Sequence, residues 1–223
     1  PRQFNRSRCN RVLFKMAERV LVISPHPDDL EIGCSGTLKK LSAQGYEIVS
    51  IITVRPSAEH NANRSKDIVT TELKNSYRKS GWRFKVFNTD LHSNGRPNLI
   101  HNNITMSQLE TLVEPADIVI LPNPEDYHQD HSTTSKLAFP LVKNCNEIWY
   151  MHMHPYSMHY NTPPNQYVDI SSHWQFKKSL LECYPSALSK QDIEQIETTN
   201  KNYALHTFNS SHAEAFTVVR KCM

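Results

Sequence analysis

Glycine is scarce in this chain, with five in 223 residues, and none completes a G-x-G-x-x-G or G-x-x-x-x-G-K pattern. A nucleotide-binding oxidoreductase is thus left without its fingerprint and ranks last among the readings. Cysteine is sparse too. The five thiols (Cys9, Cys34, Cys145, Cys183 and Cys222) are odd in number, scattered, and form no C-x-x-C pair. That argues against a disulfide framework and a thiolate zinc cluster, and for a reducing, cytoplasmic setting. No apolar run approaches the roughly 20 residues needed to span a bilayer. Charge of one sign is also lacking: the formal net charge of +3 is too small to make nucleic acid the main partner.

What remains has the composition of an ordinary soluble domain, with 38% hydrophobic and 21% charged residues. Residues 1–15 carry five basic and no acidic side chains, and we read them as a basic N-terminal tail or an extension outside the domain. From residue 16 onward a single domain is expected. Arg19 to Ser24, Glu47 to Val54, Arg83 to Phe87, Asp117 to Leu121 and Glu147 to Met151 read as short buried strands. Between them lie helical patterns at Thr37 to Gln44, Ser65 to Ser80, Met106 to Val113, and from the second loop through Val142. Met153 to Gln166 reads as a long loop. Val168 to Ile170 and Glu214 to Val219 read as later strands, Trp174 to Tyr184 and Lys190 to Tyr203 as helices. Alternating strands and helices predict an α/β, Rossmann-like three-layer sandwich with a mostly parallel sheet and helices on both faces.

In such sheets, ligands sit beyond the carboxyl ends of the strands. Two loops leave at that edge loaded with metal-ligand side chains. The first carries His26, Asp28 and Asp29; the second carries His128, Asp130 and His131. With twelve histidines in the chain, any one alone is more often hydrogen-bonded or exposed than a ligand, and H-P-D-D alone could cap the next helix. Two such loops together are another matter. His26 and Asp29, three apart, fall on one side of a helical turn, as do His128 and His131. A catalytic zinc takes three protein ligands and keeps one open position, and His26, Asp29 and His131 would supply the three. Asp28, aimed elsewhere, would face the water.

Pro25-His26-Pro27-Asp28-Asp29-Leu30-Glu31, with Gly33-Cys34-Ser35-Gly36-Thr37-Leu38 after it, resembles the opening signature of the LmbE-like, or PIG-L, zinc de-N-acetylases. His128-Gln129-Asp130-His131 is similar to their second signature, H-x-D-H. Weaker echoes are Val168-Asp169-Ile170-Ser171, Lys177 and His212-Ala213-Glu214-Ala215-Phe216. The resemblance implies one deacetylase domain over residues 16–223, with one zinc ion (other divalent metals able to substitute) held by His26, Asp29 and His131. Asp28 becomes the general base and His128 the oxyanion-stabilising group. Asp130 is expected to hydrogen-bond near His128 and favour its protonated form. Asp90 stands close to Asn94, where the family often carries an acid, and Ser186-Ala187 replaces a common Ser-Gln.

The implied reaction removes acetyl from the nitrogen of an N-acetylglucosamine-type sugar or sugar conjugate. Arg64, Asp90, Tyr127 and His154 are the candidate substrate contacts. The alternatives weighed are a zinc amidohydrolase on another acyl amide, such as a thiol–sugar or nucleoside conjugate, and a catalytically silent binding module of the same fold. Assembly as a homo-oligomer stays open.

Overall fold

Six consecutive residues, Arg19–Ser24, extend as β1, because β-branched side chains fit a strand that packs on both faces. A computed structural model of the chain describes residues 18–56, 65–89, 98–153 and 162–221. The N-terminal tail, Arg64, Asp90 and His154 lie outside these residues. The remaining strands are β2 (Glu47–Ile52), β3 (Arg83–Val86), β4 (Ile118–Pro122), β5 (Glu147–Met151), β6 (Gln166–Asp169) and β7 (Ala213–Lys221). They form one seven-stranded sheet in the order β3-β2-β1-β4-β5-β7-β6. β1 to β5 run parallel, whereas β7 is antiparallel to both β5 and β6.

The helices are α1 (Asp29–Gly33), α2 (Ser35–Ala43), α3 (Lys66–Ser80), α4 (Asn103–Glu110), α5 (Gln129–Ala138), α6 (Trp174–Leu181) and α7 (Lys190–Ala204). The period-2 alternation of each central strand feeds two separate cores. Leu21, Ile23, Val49, Ile51, Val119 and Leu121 pack with Leu109 of α4 and Leu137 of α5. Val20, Val22, Ile48, Ile120 and Ile118 pack on the opposite face with Leu30, Leu38, Leu73 and Tyr77, from α1 to α3. These are the three layers expected. A third, smaller cluster joins Ile170 and Trp174 to Ile193 and Ile196 of α7.

Local signals set the helix ends. Ser65 caps α3 by accepting from the Ile68 N–H, and Gly81 closes that helix in the left-handed region at φ 75°. Ser189 and Asp192 form a reciprocal capping box on α7. Gly36 has a packing reason to lack a side chain, since a Cβ there would lie 2.8 Å from Ile170.

Sheet order positions the site. The chain crosses back after β3, so β1 and β4 are neighbours at the point where strand order reverses. The loops after β1 and β4 therefore open into one crevice. Both motifs lie in those two loops.

Candidate active site and metal centre

The β1 loop turns directly into α1, whose first residue is Asp29. Asp28 precedes that helix yet makes no capping bond to it with its side chain, so helix capping does not account for the H-P-D-D run. Asp29 is 4% exposed and folds back on its own loop, its Oδ2 accepting from the His26 backbone N–H at 2.7 Å. From the other loop, His128 is the N-cap of α5 and His131 lies in that helix's first turn.

Asp29 sits between the two motifs. His26 Nδ1 lies 3.2 Å from Asp29 Oδ2, and His131 Nε2 lies 3.4 Å from Asp29 Oδ1. The rings of His128 and His131 stack at 4.6 Å, and His26 meets His128 edge-on at 4.8 Å. Ring nitrogens of His26, His128 and His131 all lie within 4.8 Å of one another, close enough to hold one metal ion. Ligand atoms around a tetrahedral zinc stand about 3.3 Å apart, so the Asp29–His26 and Asp29–His131 separations also suit a shared cation.

The outer nitrogens of two of the rings are held by carboxylates. His26 Nε2 is 3.1 Å from Asp130 Oδ2, and His131 Nδ1 is 2.8 Å from Asp126 Oδ2. His128 is held differently: its Nδ1 accepts the Asp130 backbone N–H at 3.2 Å. A neutral imidazole accepting at Nδ1 carries its proton on Nε2.

The electrostatics follow from this layout. Burial opposes charge on His26, but Asp29 and Asp130 outweigh it and push the ring up to about 10. Burial likewise works against His131, and Asp29 and Asp126 raise it to about 9. For Asp29, burial favours the protonated acid, and the two neighbouring imidazoles overcome this to hold the carboxyl far below its ordinary range. The pocket therefore favours positive charge between Asp29 and its two histidines. His128 moves the other way, lowered first by burial and then by the neighbouring charges of His26 and His131. Asp130 hydrogen-bonds to His128 through its backbone N–H and pulls that ring upward, as expected, but its carboxylate goes to His26 and the pull is outweighed, so the expectation of a protonated His128 is corrected.

Tyr127 stands beside His128 with 74% of its surface exposed, a rim position open to a ligand. Glu31 is 1% exposed. It neither caps a helix nor joins the cluster: its Oε1 accepts from Ser76 and Tyr184 at 2.5 and 2.9 Å. Burial pushes its carboxyl up to about 8. Trp149 packs on Phe216 and donates to Glu147, a core role. Asp126 was missed in the sequence. In the run Pro124-Glu125-Asp126-Tyr127 it reads as one more turn acid, and only the fold sets it under His131.

Comparison with known proteins bears on the whole arrangement. The sequence model of the family described as PIG-L: GlcNAc-PI de-N-acetylase matches residues 21–142, which takes in both loops. Diacetylchitobiose deacetylase of Thermococcus kodakarensis is 26% identical over 214 residues, covering 86% of this chain and 79% of that protein. The solved N,N'-diacetylchitobiose deacetylase from Pyrococcus horikoshii superposes with a TM-score of 0.73 at 21% identity, covering 93% of this chain and 85% of that one. GalB, a 4-carboxy-2-hydroxymuconate hydratase from Pseudomonas putida KT2440, superposes at 0.71 with 16% identity, over 92% of this chain and 98% of that one. At these identities the two superpositions speak for the fold alone. Among the described residues, no helix is long and apolar enough to cross a membrane.

Proposed function

The chain belongs to the GlcNAc-PI de-N-acetylase (PIG-L) family, and from that premise we propose that it is a zinc-dependent hydrolase acting on the acetylated nitrogen of an amino sugar. Its products are acetate and a free amine. The observation that carries this reading is the convergence of His26 and His131 on the two oxygens of Asp29, at 3.2 and 3.4 Å. Zinc fits these donors, since two imidazoles and one carboxylate form a familiar catalytic zinc set that leaves a position open. His26, Asp29 and His131 would hold it. His128 is set apart from them because its Nδ1 is occupied by the Asp130 N–H. When bound, zinc supplies Lewis acidity, polarising an acyl oxygen and making water acidic enough to yield hydroxide near neutral pH.

The chain's own residues do the rest. Asp28, half-buried beside Asp29, takes a proton from the attacking water onto its carboxylate as the new C–O bond forms. The same carboxyl then gives that proton to the sugar nitrogen as the C–N bond breaks, so one group serves both steps. His128, neutral with its proton on Nε2, donates to the oxygen that gains negative charge. A donor of this kind contributes on the order of 3 kcal/mol to the barrier. A neutral donor is what a ring with a lowered pKa supplies, in place of the protonated one expected from sequence. Tyr127, exposed at the rim, offers a face on which a sugar ring can stack. The GalB superposition supports the scaffold and is silent on the reaction.

The test is acetate release from free, lipid-linked and nucleotide-linked N-acetylhexosamines, including N,N'-diacetylchitobiose. Zinc-loaded wild-type protein is expected to release acetate from at least one of them. Asp28→Asn should retain zinc and lose ~10²–10⁴-fold in turnover. Turnover near wild type in that variant removes Asp28 from the chemistry. No acetate from the whole panel overturns the function.

A further inference from the structure

One carboxylate reaches both histidines of the second loop. Asp126 follows β4, and its side chain is 0% exposed. Its Oδ2 lies 2.8 Å from His131 Nδ1, while its Oδ1 accepts the His128 backbone N–H at 2.8 Å. Asp126 is itself fixed from below. Its N–H donates to the Asn123 carbonyl at 3.1 Å, and the Asn123 side-chain oxygen accepts the Glu125 N–H at 2.9 Å. Asn123 is fully buried at the end of β4, so this turn is anchored in the sheet.

We propose that Asp126 is a positioning residue for the metal centre, fixing the tautomer and aim of His131 and the start of α5 at His128 with a single buried carboxylate. The inference rests on the reading of His131 as a metal ligand. An ionised carboxylate can only accept, so the neutral His131 ring that faces it carries its proton on Nδ1. Its Nε2 lone pair is then left toward Asp29 Oδ1, 3.4 Å away. A carboxylate behind a liganding imidazole also raises the ring's basicity.

Asparagine at this position keeps the side chain's size and removes one of its two acceptor oxygens. Its single side-chain oxygen accepts from only one of the two N–H groups. If it keeps the His128 N–H, the amide NH2 faces His131 Nδ1 and drives the ring proton to Nε2, the nitrogen the metal needs. A residue that merely caps the helix would alter stability and leave affinity alone.

The experiment measures the zinc dissociation constant at one fixed pH, by competition with a chromophoric chelator, for wild-type protein and for the Asp126→Asn, Asp126→Glu and His131→Ala variants. Thermal midpoints of the metal-free proteins are read alongside. Asp126→Asn is expected to bind zinc ~10- to 100-fold more weakly while its metal-free form still unfolds cooperatively, at a lower midpoint because one buried N–H loses its acceptor. Asp126→Glu, which keeps a carboxylate at greater reach, should fall between the two, and it carries the test if the asparagine variant does not fold. Wild-type affinity in Asp126→Asn, or in Asp126→Glu if that variant stands in for it, overturns the inference. If the wild type binds no zinc, or His131→Ala binds as tightly as wild type, the ligand assignment beneath it fails instead.

Discussion

His152 illustrates how a residue's surroundings can be read as a pH response. It follows β5, is 4% exposed, and its Nε2 is 2.8 Å from Thr217 Oγ1. Because Thr217 spends its own proton on the Pro163 carbonyl, His152 must be the donor in that pair. Burial lowers the ring to about 4, against 6.5 when unfolded. The unfolded chain therefore binds more protons between those values, and stability is lost as pH falls from about 6.5 towards 4, at up to roughly 1.4 kcal/mol per pH unit. His152→Gln keeps a donor for Thr217 and removes the titration. Urea midpoints at pH 7 and 5 should drop less for that variant than for wild type, and an equal drop would refute the assignment. At this scale the sequence was uneven. His26, Asp28, Asp29, His128, Asp130 and His131 could be singled out because unusual side chains cluster at strand ends. Which acid serves which ring could not, because Asp130 meets His26 and Asp126 meets His131 only once β1 and β4 are neighbours and α5 has formed.

Among the elements, the antiparallel strand β7 ties the site's first loop to the far helices. Glu214 accepts from the Gly36 and Thr37 N–H groups at 3.0 and 2.7 Å, satisfying the first turn of α2. Lys177 of α6 meets Glu214 at 2.6 Å with both side chains fully buried, and its ammonium also donates to the Ile32 carbonyl of α1. Two weak family echoes, 37 residues apart, are thus one ion pair. Removing one partner of such a pair leaves a buried charge uncompensated. Lys177→Met should cost ~3–5 kcal/mol of unfolding free energy, and adding Glu214→Gln should recover much of it. Chemical denaturation measures both, and a loss below about 1 kcal/mol for the single variant would contradict this role. Strand interiors were legible because β-branched runs announce them; β1 and β5 match the expected spans. α1 was read as loop, since five residues are too few to show a helical period. The antiparallel direction of β7 depends on partners distant in sequence, which no local pattern encodes.

For the whole molecule, what the sequence announced most clearly was the outline of the architecture: strands alternating with helices, and two ligand-bearing loops at one sheet edge. What it withheld was the order of strands that makes β1 and β4 neighbours, since pairing across that reversal is settled by packing of both faces. The proposed zinc ion lies in this crevice between His26, Asp29 and His131, with His128 standing by as a donor. Crystals grown with zinc and measured on both sides of its absorption edge test it most directly. The anomalous difference map should show a single strong peak bonded to His26, Asp29 and His131, with His128 Nε2 outside bonding distance. A peak bonded to His128 in place of Asp29, or no peak in the crevice, would contradict this placement.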